Sequence, residues 1–270
     1  MKTSVIVTTY NRPDALELAL EGYAAQDDKD FELVIADDGS TFDTEKVIAQ
    51  FQAKNIIKIR HVWQEDQGFR AAAIRNRAIA VTSADYIIFS DGDCVPLPDF
   101  VRRHKCLAEK NWFVAGSRVL LSESFTREVL KKRIPVHQWT FGRWILSRMK
   151  GNINRLSPFL SLPMLNGVRK ISPNRWQSAM TCNMATWRHD LINVNGFDEN
   201  YVGWGLEDSD LVIRLLHANI RRKSARFISP VLHLWHREND RHRLLENRHR
   251  LGERMKSSQF VATKGLDQYL

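Results

Sequence analysis

Two carboxylates, Asp91 and Asp93, close an apolar run, Tyr-Ile-Ile-Phe-Ser-Asp-Gly-Asp at residues 86–93. A run of β-formers bounded by polar turn residues predicts a buried strand, and open parallel sheets bind ligands off the carboxyl ends of such strands. Alternate residues of an extended strand share a face, so Asp91 and Asp93 are expected to point the same way. Gly92 between them lets the backbone approach a ligand closely. Two oxygens facing one way suit a hard divalent cation held by one or two carboxylates plus ligand phosphates. Asp-Gly is also ordinary turn chemistry, and by itself the pair fits a strand that simply stops at least as well.

A second acidic group follows two glycines that flank a tryptophan, Gly-Trp-Gly-Leu-Glu-Asp-Ser-Asp at 203–210. Acidic residues in a first helical turn complement the macrodipole and cap free N–H groups, which is one of two readings for Asp210, whose neighbours Leu211 and Ile213 look like core. Glu207 and Asp208 differ, because the Gly-Trp-Gly before them could fold over a ligand. The indole face of Trp204 is a good stacking surface for the apolar side of a sugar ring. Further on come His233 and His236. In a strand, histidines three apart face opposite ways, so at most one is expected to bind a metal.

The elements that must position these residues alternate. Strands are predicted at 4–9, 31–36, 56–62 and 86–90, with helices at 14–26, 43–53 and 70–80 between them. Pro13 can begin the first helix at its first position, and the third carries Arg75, Asn76 and Arg77 on what should be its exposed side. This β-α-β-α-β order implies a doubly wound α/β sheet with right-handed crossovers. A helix over 99–110 that resembles a capped one, and a strand over 113–121, complete a nucleotide-binding part at 1–121. Strands at 179–187 and 226–232 flank the second acidic group, and a basic amphipathic helix is expected within 238–256.

Several classes are set aside by what the chain lacks. No G-x-G-x-x-G follows the first strand, and neither a P-loop nor a G-x-S-x-G elbow occurs. Cys94, Cys106 and Cys182 have no zinc-type spacing and are expected as buried thiols in a reducing cytoplasm. The first residues lack the apolar core of a signal peptide, and no stretch approaches the roughly 18 to 20 apolar residues of a spanning helix. With 270 residues, 43% of them hydrophobic, the chain can bury a sizeable core.

Its net charge of +9 is unevenly spread. Residues 129–189 hold eleven lysines and arginines and no aspartate or glutamate, with Trp139, Phe141, Trp144, Phe159 and Trp176 interleaved. This basic aromatic insertion, placed at 122–178, suits an anionic membrane surface or an acidic polymer, with nucleic acid as the other candidate.

Taken together, residues 4–13 (Ser-Val-Ile-Val-Thr-Thr-Tyr-Asn-Arg-Pro), 34–40 (Val-Ile-Ala-Asp-Asp-Gly-Ser), Gln67-Gly68 with Arg75-Asn76, and 89–93 resemble the GT-A glycosyltransferases of family 2. Residues 195–217 resemble the acceptor region shared by β-1,4-galactosyltransferases and bacterial chondroitin-polymerase-type enzymes. The resemblance implies a GT-A fold, a Rossmann-like doubly wound mixed sheet, with an acceptor-binding and catalytic part at 179–237 and a basic C-terminal helix and tail at 238–270. It implies a metal-dependent, inverting transfer of a hexose or N-acetylhexosamine from a UDP-sugar. Thr8, Tyr10 and Asp38 would hold the uracil and ribose, with Arg75 and Asn76 nearby. Asp91 would contact the ribose or the metal, Asp93 and His236 would bind Mn²⁺ or Mg²⁺, and Trp204 would close over donor and acceptor. Asp208 would be the general base and Glu207 would help bind the acceptor sugar. Leu206 departs from the pattern, replacing a second glycine often seen after Gly-Trp-Gly.

The expected acceptor is a saccharide of a lipid-linked surface glycan such as lipopolysaccharide or capsule, met by a cytoplasmic protein peripheral on the inner face of the plasma membrane. No nucleic-acid partner is expected. The alternatives are transfer to a soluble oligosaccharide or protein, and a non-catalytic nucleotide- or sugar-binding module.

Overall fold

A computed structural model describes residues 1–160, 164–177, 179–228, 230–237 and 240–270. Four parallel strands, β1 (Thr3–Thr9), β2 (Glu32–Asp37), β3 (Lys58–Trp63) and β4 (Tyr86–Asp91), alternate with α1 (Pro13–Ala24), α2 (Phe42–Lys54) and α3 (Ala71–Val81). Pro13 stands in the first turn of α1, as its fixed φ favours. The period of two along each strand divides the core. Val5, Val7, Leu33, Ile35 and Ile88 pack with α1 and α2 on one face, while Ile6, Val34, Ile87 and Phe89 pack with α3 on the other. Both faces of β1, β2 and β4 are covered, so these strands are buried almost throughout, whereas β3, at the sheet edge, reads Lys-Ile-Arg-His-Val-Trp and stays partly exposed.

The sheet then becomes mixed. β6 (Trp112–Ala115), β8 (Asn183–Trp187) and β9 (Arg221–Ser224) extend it in the order β3-β2-β1-β4-β8-β6-β9, with β8 antiparallel to both its neighbours. Residues 1–121 and 179–237 therefore share one sheet. A small second sheet joins β5 (Cys94–Pro96), β7 (Arg118–Leu120) and β10 (Val231–His233) in the order β5-β10-β7. Around these lie α4 (Phe100–Leu107), α8 (Arg188–Asn193), α9 (Glu207–His217) and α10 (Leu244–Lys256).

Several expectations need correction. The strand over 113–121 is two strands in different sheets, broken where a Cβ on Gly116 would collide with Asn183. Among the described residues of 226–232 only Val231 and Leu232 are strand, since β9 ends at Ser224 and β10 starts at Val231. Asp99 occupies the N-cap position of α4 without capping it, because its carboxylate accepts from Arg103 Nε instead. Cys94 and Cys182 are buried, but Cys106 is exposed. Glu238, the expected start of the basic tail, lies outside the described residues.

The basic insertion forms α5 (Glu123–Lys132), α6 (Phe141–Met149) and the one-turn α7 (Asn166–Arg169). A third core lies here, where Phe125, Val129 and Trp144 pack on Val95, Val119 and Leu232 of the small sheet. Trp144 stacks on Phe159 at 4.5 Å and lies 5.0 Å from Trp139, so these aromatics serve the interior rather than a surface. Among the described residues no helix is long and apolar enough to cross a membrane.

Candidate functional site

The carboxyl ends of β1, β2 and β4 form the floor of the site, and α9 stands across from them. Register places Thr8 beside Asp91. Between floor and helix lies Arg75, whose side chain is only 6% exposed. Its Nε donates to Thr8 Oγ1 at 2.9 Å, its Nη1 to Glu207 Oε1 at 3.0 Å and its Nη2 to Asp91 Oδ1 at 3.3 Å. A buried guanidinium is costly unless paired, and here two carboxylates and a hydroxyl share it. The expected exposed position of Arg75 is thus wrong: α3 is buried on both sides of its axis, and Arg75 and Asn76 are both interior.

Charge at this point is crowded. Protein packed around Asp91 pushes its carboxyl up to about 6, with Asp93 and Glu207 adding to the rise and Arg75 opposing it. Asp208, half-buried at the start of α9, is pushed up to about 7 by burial first and then by Glu207. Glu207 Oε2 is buried and has no hydrogen-bond partner among the described residues. Asp210, by contrast, is wholly buried between Arg214 Nε at 2.7 Å and Arg254 Nε at 3.0 Å, a structural role.

The other candidates divide. Tyr10 is exposed and donates its hydroxyl to Asp66 at 2.8 Å. Asp38 is buried and accepts from Gln64 Nε2 at 2.6 Å and from the Arg70 amide at 2.7 Å. Asn76 turns away from the strand ends, exchanging hydrogen bonds with the Phe197 backbone and donating to Glu199. It ties α3 to the segment before α9.

Two histidines and Cys94 gather around Asp93, with the potential ligand atoms of Asp93, Cys94 and His233 all within 4.8 Å of one another. His236 Nε2 lies 3.3 Å and His233 Nε2 3.8 Å from its Oδ2, and the two rings are 5.3 Å apart. Sequence reasoning allowed one histidine, because it carried the strand's period of two past its end. β10 stops at His233, so the chain is free to turn His236 back to the same side. Antiparallel pairing sets His233 opposite Cys94, one residue from Asp93. Burial lowers the pKa of His233, favouring the neutral imidazole that a metal requires. His236 Nδ1 lies 2.7 Å from the Arg237 carbonyl, which can only accept, so Nδ1 carries a proton and Nε2 is the nitrogen that faces the Asp93 carboxylate. Two acceptors facing each other need a proton or a cation between them. A carboxylate with imidazole nitrogens beside it suits Mn²⁺ better than Mg²⁺, which prefers oxygen ligands.

The loop entering α9 is held from behind. Gly203, Gly205 and Leu206 all adopt positive φ, with Leu206 at 77° where glycine is favoured. Asn247 of α10, buried, donates through Nδ2 to the Val202 and Gly205 carbonyls at 3.3 and 3.0 Å. The Arg241 guanidinium stands 4.9 Å from the Trp204 ring. Neither contact was foreseen, since nothing in the sequence marks the partner of Asn247 on α10 or of Arg241 before it. A separate cavity of about 590 Å³ lies between α10 and residues 198–201, away from these carboxylates.

Comparison with known proteins places the chain. The model of glycosyl transferase family 2 matches residues 4–169, and that of the N-terminal domain of galactosyltransferase matches 163–237. Validoxylamine A glucosyltransferase of Streptomyces hygroscopicus is 30% identical over 80% of this chain and 51% of its own length, so the chain spans about half of that relative. Chondroitin synthase of Escherichia coli is 26% identical over 78% of the chain and 32% of its own length. The Staphylococcus aureus TarS fragment 1–349, solved in complex with UDP, superposes over 100% of this chain and 68% of that one with a TM-score of 0.66 at 16% identity. The fold is GT-A.

Proposed function

The chain belongs to glycosyl transferase family 2, and we propose that it transfers a hexose or N-acetylhexosamine from a UDP-sugar to a saccharide acceptor with inversion, using a divalent metal. One observation carries this reading: Arg75 is bonded at once to Asp91 at the strand ends and to Glu207 at the start of α9. Donor and acceptor sides thereby meet in one site. TarS in complex with UDP supports a UDP-linked donor.

In this reading Asp93, His233 and His236 hold Mn²⁺ or Mg²⁺, with Asp91 beside them or on the ribose. A cation bound there would offset the negative charge that develops on the departing diphosphate. Thr8, Tyr10 and Asp38 line the nucleoside end. The indole of Trp204 packs on the sugars, and the open Oε2 of Glu207 accepts from an acceptor hydroxyl. Asp208 removes the proton from the attacking hydroxyl, for which a pKa near the working pH is suited. With one base and no second carboxylate assigned as nucleophile, displacement is a single in-line step and the anomeric configuration inverts. The acceptor is a lipid-linked saccharide of a bacterial surface glycan, lipopolysaccharide or capsule.

Proton NMR of UDP-α-hexose turnover with Mn²⁺, water or a saccharide serving as acceptor, tests the stereochemistry. A β-configured sugar should appear first. An α-configured first product would overturn the single displacement.

A further inference from the structure

Once Trp139, Trp144 and Phe159 are placed in the interior, the basic insertion still shows apolar surface, at Leu160, Leu165, Val168 and Ile171 and, as a continuous helical face, on α6. Phe141, Ile145, Leu146 and Met149 of α6 are 40%, 39%, 58% and 78% exposed. At about 100° per residue, Phe141, Ile145, Met149 and Leu146 fall within one arc of roughly 140°. The buried Trp144 and Ser147 occupy the opposite side. Arg148 and Arg143 stand at the two borders of the apolar arc, and both are exposed.

We infer that this face of α6 docks the protein on an anionic lipid surface. A helix lying in a bilayer interface buries an apolar face and keeps cations beside it at headgroup level, where their aliphatic stems reach over the boundary. Arg143 and Arg148 make no ion pair among the described residues, and Lys150 follows at the helix end. The neighbouring triplet Lys131, Lys132 and Arg133 is less suited than its charge suggests. Lys132 is paired with Glu128 at 2.7 Å and Arg133 with Glu17 at 3.1 Å. Charge also argues against the other occupants. A second copy of this chain would bring the same cations together across a two-fold contact, with no acid in 129–189 to meet them. Single-stranded nucleic acid needs aromatic stacking platforms, and of the aromatics in α6 only Phe141 is exposed. The inference rests on the proposed lipid-linked acceptor for its purpose, but lipid binding is measured without donor or turnover, so the two can fail separately.

The test is flotation of the intact chain with phosphatidylcholine vesicles, with and without phosphatidylglycerol. Two variants are compared, Ile145→Ser with Met149→Ser and Arg143→Ser with Arg148→Ser, each checked for an unchanged unfolding temperature. Binding should require phosphatidylglycerol, weaken with salt, and fall by about tenfold or more in each variant. Absence of binding to phosphatidylglycerol vesicles, or equal binding by both folded variants, would overturn the inference. So would loss of a dimer or of RNA binding in these variants with vesicle binding intact.

Discussion

Asp208 carries the sharpest consequence at the scale of single residues. Its carboxyl is raised to about 7, chiefly by burial and then by Glu207, and a base must be ionised. Turnover is therefore expected to fall as pH drops through about 7, and Glu207→Gln should move that midpoint to lower pH by removing a neighbouring charge; a profile flat from about pH 6 to 8 would exclude Asp208 as the base. The sign for stability is opposite. A raised carboxyl pKa means the native state holds the proton more tightly than the unfolded chain, so ionisation costs stability above about pH 7, and the cost vanishes below the usual carboxylate range near 4. Asp208→Asn should therefore raise the unfolding temperature at about pH 8, lose that advantage toward pH 4, and abolish turnover while UDP still binds.

His233 makes the second prediction of this scale. If both imidazoles hold the cation with Asp93, His233→Ala and His236→Ala should each weaken the Mn²⁺-dependent part of UDP affinity by at least about tenfold, which titration calorimetry measures. An effect of His236 alone would restore the one-ligand expectation. Asp91 and Asp93 stand out in the sequence as candidates because a strand and a one-residue spacer announce them, although β4 ends at Asp91 and Asp93 lies in the turn beyond it. His233 and the buried Arg75 were not, since the first depends on where a strand stops and the second on a helix covered from two sides.

At the scale of elements, the strand and helix alternation through residue 91 followed from apolar periodicity. Expectations failed where an element's end depends on a distant contact, as at Gly116 against Asn183. The loop before α9 shows the same limit. Leu206 in the left-handed region costs about 1–2 kcal/mol, which the surrounding contacts must offset. Asn247 supplies two of them from α10, in residues beyond both family matches. Asn247→Ala leaves two carbonyls without their donor, a cost of about 1–3 kcal/mol. The expected result is a loss of kcat for transfer of roughly tenfold with UDP affinity unchanged, and equal losses in both would reduce Asn247 to a general stabilising role.

For the whole molecule, the decisive feature is that residues 1–121 and 179–237 build one sheet, with β8 laid between β4 and β6, so that the proposed donor and acceptor sides share a frame. Arg75 crosses between the two parts. Arg75→Met would leave buried Glu207 and partly exposed Asp91 without their cation and is expected to cost about 3 kcal/mol, the low end for a buried pair because Asp91 reaches solvent, read as a drop in denaturation midpoint; a loss under about 1 kcal/mol would show that the bridge contributes little. The family resemblance was legible because its motifs recur in order along the chain. The basic insertion was read correctly as to charge but not as to its aromatics, because composition does not distinguish a tryptophan that fills a satellite core from one that faces outward.

The proposed function stands or falls on a metal-dependent uridine nucleotide site at the strand ends. Thermal unfolding of the intact chain with UDP, GDP or ADP, each with and without Mn²⁺, tests it most directly, since a ligand that binds only the native state raises the midpoint. A shift with UDP that requires Mn²⁺ and is lost in Asp93→Ala is the predicted result. No shift with any nucleotide in a folded sample, or one indifferent to metal and to Asp93, would contradict it.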